Sequence, residues 1–372
     1  MPAPILIGSE IYRGSSYGIK HPLAIPRVST VLDLCRAMGW LPDAQYRVSP
    51  RAKPAALTGF HTERYINALQ VAENEQYVSD DIRARHGLGT LSNPVFPEMY
   101  RRPATAAGGS ILGAELVARV GIVFNPGGGT HHGFPDRANG FCYLNDPVLA
   151  IRSLLALGIN KIAYVDIDAH HCDGVEAACT GDDRICLISV HERNRWPFTG
   201  QLSDAGGGNT YNLPVPREFN DSEFGALRDA VILPVLSKFH PEVIVLQCGA
   251  DAVQEDPLSR LSLSNNAHWQ LLRDLMGLSE RLLVLGGGGY NPWSVARLWT
   301  GVWAVLNGHE TPKTLPKGAQ DLLGQLHWTR RAGNPPAQHW TTTLRDPARP
   351  GAVREEIRHL IDHMQNRIAI DA

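Results

Sequence analysis

The sequence has no Cys-x-x-Cys pair, no imbalance of charge and no long apolar run, and each absence excludes a class of protein. Cys35, Cys142, Cys172, Cys179, Cys186 and Cys248 are spread through 372 residues without the density of a disulfide scaffold, a usage that fits reduced thiols in a cytoplasmic protein. Lysine plus arginine number 35 against 37 acids, a formal charge of −2, so neither nucleic acid nor an anionic membrane is an expected partner. No stretch approaches ~18 uncharged apolar residues, and the start lacks a basic segment leading into a sustained apolar one. A soluble cytoplasmic protein is therefore expected. Linkers rich in proline and serine, charge runs and internal repeats are also missing, so one large domain is the simpler reading.

What the chain does have is apolar content, 43%, enough for a large core, together with 36 glycines, many of them in runs. Four apolar stretches have the length and β-branched content of buried strands: Ile162 to Val165, Ile185 to Val190, Val243 to Leu246, and Leu282 to Leu285. Helical periodicity marks Asp146 to Leu157, Asp221 to Phe239 and His268 to Leu278, and this alternation predicts an α/β fold with a parallel sheet between helix layers. Residues 311–372 read as a C-terminal extension in which Val353, Ile357, Leu360, Ile361, Met364 and Ile368 mark one apolar helix face, packed on the domain formed by residues 1–310. No oligomer is predicted.

The residues just after these strands carry the chemistry. Asp166 and Asp168 come after the first, His191 after the second, Asp251 after the third and Gly286 to Tyr290 after the fourth, and ligands of open parallel sheets bind where strands end. In Asp166-Ile167-Asp168-Ala169-His170-His171-Cys172-Asp173, a strand-like backbone puts Asp166, Asp168 and His170 on one side. So many charges beside a buried strand are costly unless a cation neutralises them. Asp168 and His170, with Asp251 from a neighbouring strand, make two carboxylates and one imidazole, which leaves a position open as in catalytic zinc sites. The competing reading is a hydrogen-bonded polar strand end. A second constellation, Gly127-Gly128-Gly129-Thr130-His131-His132, delivers two adjacent imidazoles suited to general base work, with Asp166 and Asp173 as candidates to orient them. Neither this loop nor Gly286 to Gly289 fits a nucleotide-binding pattern, so the glycines read as pocket shapers. Tyr290 offers a phenolic donor for a developing oxyanion, and Phe141 and Trp196 lie among glycine and proline as channel walls would.

Taken in order, these segments resemble the zinc-dependent histone deacetylase family, especially its class I-like bacterial branch and the acetoin-utilization-type proteins. The resemblance also takes in Tyr17 to Pro22, Pro26-Arg27, Phe60 to Tyr65 and Gly140 to Asp146, and it runs from about Tyr12 to Leu306. It implies an arginase-like fold and a hydrolase that removes acetyl or other short acyl groups from lysine side chains or related amines with a metal-activated water. Asp168, His170 and Asp251 would hold one Zn2+ per chain. Asp166 would pair with His131 and Asp173 with His132, His132 acting as base, and Tyr290 would polarise the carbonyl. Gly140, Phe141, Trp196 and Leu258 would line the substrate channel, Leu258 resembling the apolar gate of lysine deacetylases. A structural K+ at Asp166, Asp168, His170, Ser189 and Val190 is implied as well.

Three positions depart from the family. Cys172 replaces a glycine, Trp196 replaces a phenylalanine before proline, and Arg101 falls where eukaryotic class I members carry a rim aspartate. An acetylpolyamine or small acylamide is the alternative substrate. A ureohydrolase of the same fold needs a second acid in each motif, where this chain has Cys172 and Val253, and a silent binding module would not need the complete catalytic set.

Overall fold

Among the described residues, eight parallel strands form one sheet in the order β2-β1-β3-β8-β7-β4-β5-β6. They are β1 (Ile5–Gly8), β2 (Tyr46–Val48), β3 (Ile122–Asn125), β4 (Ile162–Asp166), β5 (Ile185–Glu192), β6 (Thr210–Val215), β7 (Val243–Gln247) and β8 (Leu282–Leu285). The computed structural model describes residues 3–331 and 333–370, so the outer ends of the two segments expected from sequence, and residue 332 within the second, lie outside the described residues.

The four stretches read as strands are β4, β5, β7 and β8. Asp166 and His191, expected just beyond their strands, fall within the ends of β4 and β5. Alternate residues of each strand enter opposite layers, as period-two geometry requires. Ala163, Val165, Ile188, Leu246 and Val284 join one apolar cluster, and Tyr164, Leu187, Val245 and Leu283 join the other.

The expected helix over 221–239 is broken into Asp221–Leu227, a π turn over Arg228–Ile232, and Leu233–Phe239. Pro234 has no N–H to donate and its ring crowds the carbonyl four residues back, and the wider turn accommodates both. The helix Asp146–Ala156 starts where Asn145 Oδ1 accepts the N–H of Val148 at 3.1 Å. In the C-terminal segment, the helix Glu355–Ile370 places Ile357, Leu360 and Met364 in the first cluster. Arg354 just before it holds the buried carboxylate of Glu223 at 2.6 and 2.7 Å.

Strand register sets where the functional loops emerge. Asn125, Leu285, Gln247, Asp166 and Ser189 form one row across β3, β8, β7, β4 and β5, so the loops leaving these strands share one edge of the sheet.

Candidate active site

The glycine loop after β3 is held from below by buried Asp146. Its carboxylate accepts the N–H of Gly129 at 3.0 Å and of Thr130 at 2.8 Å, and the Ser110 hydroxyl at 2.5 Å. Gly129 has φ of +95°, and a Cβ there would come within 2.6 Å of Gly287 N, so this loop and the tetraglycine loop approach as only glycines allow.

The fixed loop presents His131 and His132, both buried. His131 Nδ1 lies 2.8 Å from Asp166 Oδ2, an oxygen that also accepts the Tyr164 hydroxyl at 2.7 Å. His132 Nδ1 lies 2.6 Å from Asp173 Oδ1, and Asn139 donates to the other Asp173 oxygen at 3.1 Å. Each Nδ1 therefore donates to a carboxylate, and the two Nε2 atoms face each other at 2.9 Å. One proton must lie between them. Burial alone would lower the His131 pKa, but the Asp166 and Asp168 carboxylates override it and hold the ring up at about 9. Burial and then the His131 charge push His132 down to about 4. Thus the shared proton belongs on His131, and His132 is the ring of the pair left neutral.

Asp168, His170 and Asp251 offer ligand atoms within 4.8 Å of one another. His170 Nδ1 lies 3.2 Å from Asp168 Oδ1 and 2.9 Å from Asp251 Oδ2. Backbone donors aim both acids: Gly288 N–H reaches Asp168 Oδ2 at 2.7 Å and Ala169 N–H reaches Asp251 Oδ1 at 3.0 Å. Burial opposes a charge on His170, yet the two carboxylates hold its pKa up at about 10. Burial and the neighbouring Asp168 raise Asp251. The position between these acids thus calls for positive charge, and a divalent cation of nitrogen and oxygen preference suits the donor set.

Tyr290 closes the site from the tetraglycine loop. Its N–H donates to buried Asp256 Oδ2 at 2.6 Å, and Asp256 also accepts the N–H of Leu258 at 2.9 Å. Burial and then Asp251 raise the Tyr290 phenol well above its ordinary value, so it stays a donor. A cavity of about 270 Å³ leads from His132, His170 and Tyr290 between Phe141, Trp196 and Leu258. Trp196 crosses His132 edge to face at 4.6 Å between centroids. The Trp196 ring also occupies the space over Gly140, where a Cβ would meet it at 2.2 Å. Arg195 spans Glu192, at 2.5 and 2.9 Å, and the Leu258 carbonyl at 2.8 Å, which ties the channel wall to β5.

Every expected catalytic, channel and zinc-ligating residue converges here, and one expectation is corrected. Arg101 is not at the channel rim: Glu73 holds it at 2.7 Å and it lines a different surface hollow, whereas Ser92 lines the channel. The turn Gly89 to Pro94 reaches the channel before the chain enters the helix Arg101–Val120, and the sequence offers no periodic signal for where that turn falls. Cys172 is buried with φ of −81°, a backbone open to any residue, so replacement of glycine there brings no strain. Burial pushes its thiol up, which disfavours the thiolate form. Ser189 lies 3.0 Å from His191 Nδ1, and Val190 is buried beside it. Sequence reasoning missed the supports: Asp146, Gln247, Asp256, and Arg27, whose guanidinium donates to the Gly287 carbonyl at 2.5 Å. Arg27 in Pro26-Arg27 and Asp146 in Gly140 to Asp146 stood in the motifs, but only burial reveals their task.

The family model for the histone deacetylase domain matches residues 21–306. The chain is 35% identical over 309 residues to putative histone deacetylase 2 of Caenorhabditis elegans, covering 81% of this chain and 61% of that one. It is 33% identical over 327 residues to the acetoin utilization protein AcuC of Bacillus subtilis, covering 83% and 84%. Against some plant and animal relatives it thus spans only about three fifths of their length. The crystal structure of an HDAC homologue from Aquifex aeolicus superposes with a TM-score of 0.93 at 36% identity, covering 98% of this chain and all of that one. A crystal structure of an HDAC homologue complexed with SAHA matches equally well. The comparisons bear out the arginase-like α/β fold expected from the resemblance.

Proposed function

The chain belongs to the histone deacetylase family, and from that membership we propose that it is a metal-dependent amidohydrolase that releases acetyl or other short acyl groups from lysine side chains or related amines. The observation that carries this reading is the placement of Asp168, His170 and Asp251, with ligand atoms within 4.8 Å, beside the histidine pair at the foot of the channel.

Asp168, His170 and Asp251 would hold one Zn2+, which supplies Lewis acidity toward the acyl oxygen and toward water. Neutral His132 takes a proton from the attacking water and returns one to the departing amine, a role worth about 10² to 10⁴ in rate. Asp173 fixes its tautomer and ring plane. His131, charged and held by Asp166, adds electrostatic support. Tyr290 donates its phenolic hydrogen to the oxygen that gains negative charge, and Phe141, Trp196, Gly140 and Leu258 sheathe the alkyl arm of the amine. Asp166, Asp168, His170, Ser189 and Val190 would bind a structural K+ that balances the acidic strand ends. Free buried cysteines fit a reducing cytoplasm. Among the described residues no helix is long and apolar enough to cross a membrane. The two-metal ureohydrolase reading gains no support, since its additional acids are Cys172 and Val253 here.

Turnover of an acetyl-lysine amide tests the reading. Hydrolysis should stop on chelation and return with zinc; full turnover by metal-stripped protein would overturn it.

A further inference from the structure

Resting on the deacetylase reading, we propose that the C-terminal extension completes the active site: Arg349, acting through Glu255, is a positioning residue that places Tyr290 for catalysis. The family model ends at residue 306, so this contact comes from outside the matched domain.

The turn from Val253 to Leu258 joins the metal ligand Asp251 to the channel wall, and the Tyr290 loop rests on it. Asp256 Oδ2 accepts the Tyr290 N–H at 2.6 Å, and its Oδ1 accepts the Leu258 N–H at 2.9 Å. Beside it, the Glu255 carbonyl accepts a hydrogen from Asn291 Nδ2 at 3.3 Å, while Asn291 Oδ1 accepts the N–H of Trp293 at 3.1 Å at the start of the helix Pro292–Leu306. Tyr290 and Asn291 are thus tied to two consecutive residues of the turn. The backbone of the turn is itself held at its first half, where Gln254 N–H reaches the Leu263 carbonyl and Asp256 N–H the Val253 carbonyl, each at 3.0 Å. The outer grip is ionic. Glu255 Oε1 accepts Arg349 Nη2 at 2.8 Å, with both side chains more than two-thirds buried, whereas His339 Nε2 stands off at 4.0 Å.

Arg349 serves as an anchor because its segment is fixed independently of that bond. Its N–H donates to Asp221 Oδ2 at 2.8 Å, and its carbonyl accepts the Asp221 N–H at 3.0 Å. Asp346, just before it, pairs with buried Arg297 at 2.6 Å and accepts the Asn265 N–H at 3.0 Å. Arg297 belongs to the helix that Asn291 caps, so the extension grips both the helix that follows Tyr290 and the turn beneath it. A charge-assisted hydrogen bond in this place fixes the half of the turn that backbone bonds leave free. With Arg349 gone, Glu255 loses its ionic partner and the Tyr290 phenol its fixed height over the acyl oxygen. Misplacement of a catalytic group by about 1 Å costs up to ~10² in rate.

Arg349→Met keeps the aliphatic stem and both backbone bonds to Asp221, so the fold should stand. On an acetyl-lysine amide, kcat of the zinc-loaded variant should fall about tenfold, less than loss of the phenol itself would cost. KM and zinc affinity should stay within about twofold of the parent, because Arg195 still holds the Leu258 carbonyl at 2.8 Å and Ala169 N–H still aims Asp251 at 3.0 Å. Arg349→Lys should recover kcat to within about threefold, since one N–H carries the contact. In a Tyr290→Phe background, adding Arg349→Met should cost less than about twofold, as no phenol remains to be placed. Arg345→Met is the control: its guanidinium bonds Asn266 at 2.7 Å and Thr311 at 3.2 Å, in the same extension but off the turn, and its kcat should be parental. Parental kcat in Arg349→Met, an undiminished loss in the Tyr290→Phe background, or an equal loss in Arg345→Met would overturn the inference while leaving the deacetylase reading standing. No turnover by the zinc-loaded parent would overturn both.

Discussion

Gly288→Ala probes the metal centre through packing alone. A Cβ at residue 288 would lie 2.1 Å from Asp251 Oδ2 and 2.9 Å from Asp168 Oδ2. Ordinary contact begins near 3.4 Å, so the Asp251 oxygen must retreat by about 1.3 Å or the loop must lift by as much. Metal–ligand distances tolerate about 0.2 Å, so a shift of that size breaks the ligand set rather than bending it. Changes to groups that merely orient ligands cost about 10- to 100-fold in metal affinity, and displacement of a ligand should reach the top of that range or pass it, roughly 3 kcal/mol. Zinc affinity by competition titration, with circular dichroism to confirm the fold, measures the effect. Gly277→Ala is the control: it lies in the helix Asn265–Leu278 with nothing within 4 Å of its would-be Cβ. That variant should keep parental zinc affinity and gain up to ~1 kcal/mol of stability. Zinc bound by folded Gly288→Ala with affinity within twofold of the parent would refute the reasoning.

Tyr290→Phe should retain zinc and lose about 10² to 10³ of kcat, the cost of one oxyanion donor; parental turnover would remove the phenol from the chemistry. His132→Ala should slow the single-turnover rate more than His131→Ala, because His132 is the member of the pair left neutral at neutral pH. The opposite order would exchange their roles. Glu223→Gln tests the grip on the C-terminal helix: burial alone would raise the Glu223 carboxyl, but Arg354 outweighs it and holds the pKa below its ordinary value. A depressed acid stabilises the fold above its unfolded pKa of about 4.3, and that contribution fades as pH falls through the folded value. Arg354 is one-third exposed, so the loss near neutral pH should be about 1–2 kcal/mol, shrinking toward pH 3. Urea midpoints at both pH values measure it, and a gap that widens on acidification would contradict the sign.

The parts of the site legible in sequence are those whose chemistry is dense and local. Asp166 to Asp173 packs ligand types at strand spacing, and Gly127 to His132 places two imidazoles after a run only a tight loop needs. The four buried strands were legible because both faces are covered, which demands unbroken apolar stretches. Legibility failed where position depends on packing between distant segments. Arg101 sits next to Arg102 with nothing local to say that Glu73 would hold it, so its removal from the rim could not be read. Asp256, Asp146 and Arg27 act on backbone groups remote in the chain, and their types alone are those of ordinary surface residues. The π turn at Arg228–Ile232 was missed because helical periodicity continues through it, although Pro234 is its cause.

The sheet order explains why one edge suffices for the whole site. β3, β8, β7 and β4 are adjacent, so the loops carrying His131, Tyr290, Asp251 and Asp168 leave neighbouring strands in one register row. Loops that close would collide if they bore side chains, and the glycines fall at the contacts: Gly129 against Gly287, Gly249 against Asp168, Gly286 against Pro126. The glycine runs are therefore a consequence of bringing the loops from four adjacent strand ends this close together, and they trade backbone entropy for approach. Buried acids then face one another across those contacts. His131 and Arg27 supply fixed positive groups nearby, but Asp168 and Asp251 converge on His170 Nδ1, and with that ring neutral a cation held by the three would balance the two acids.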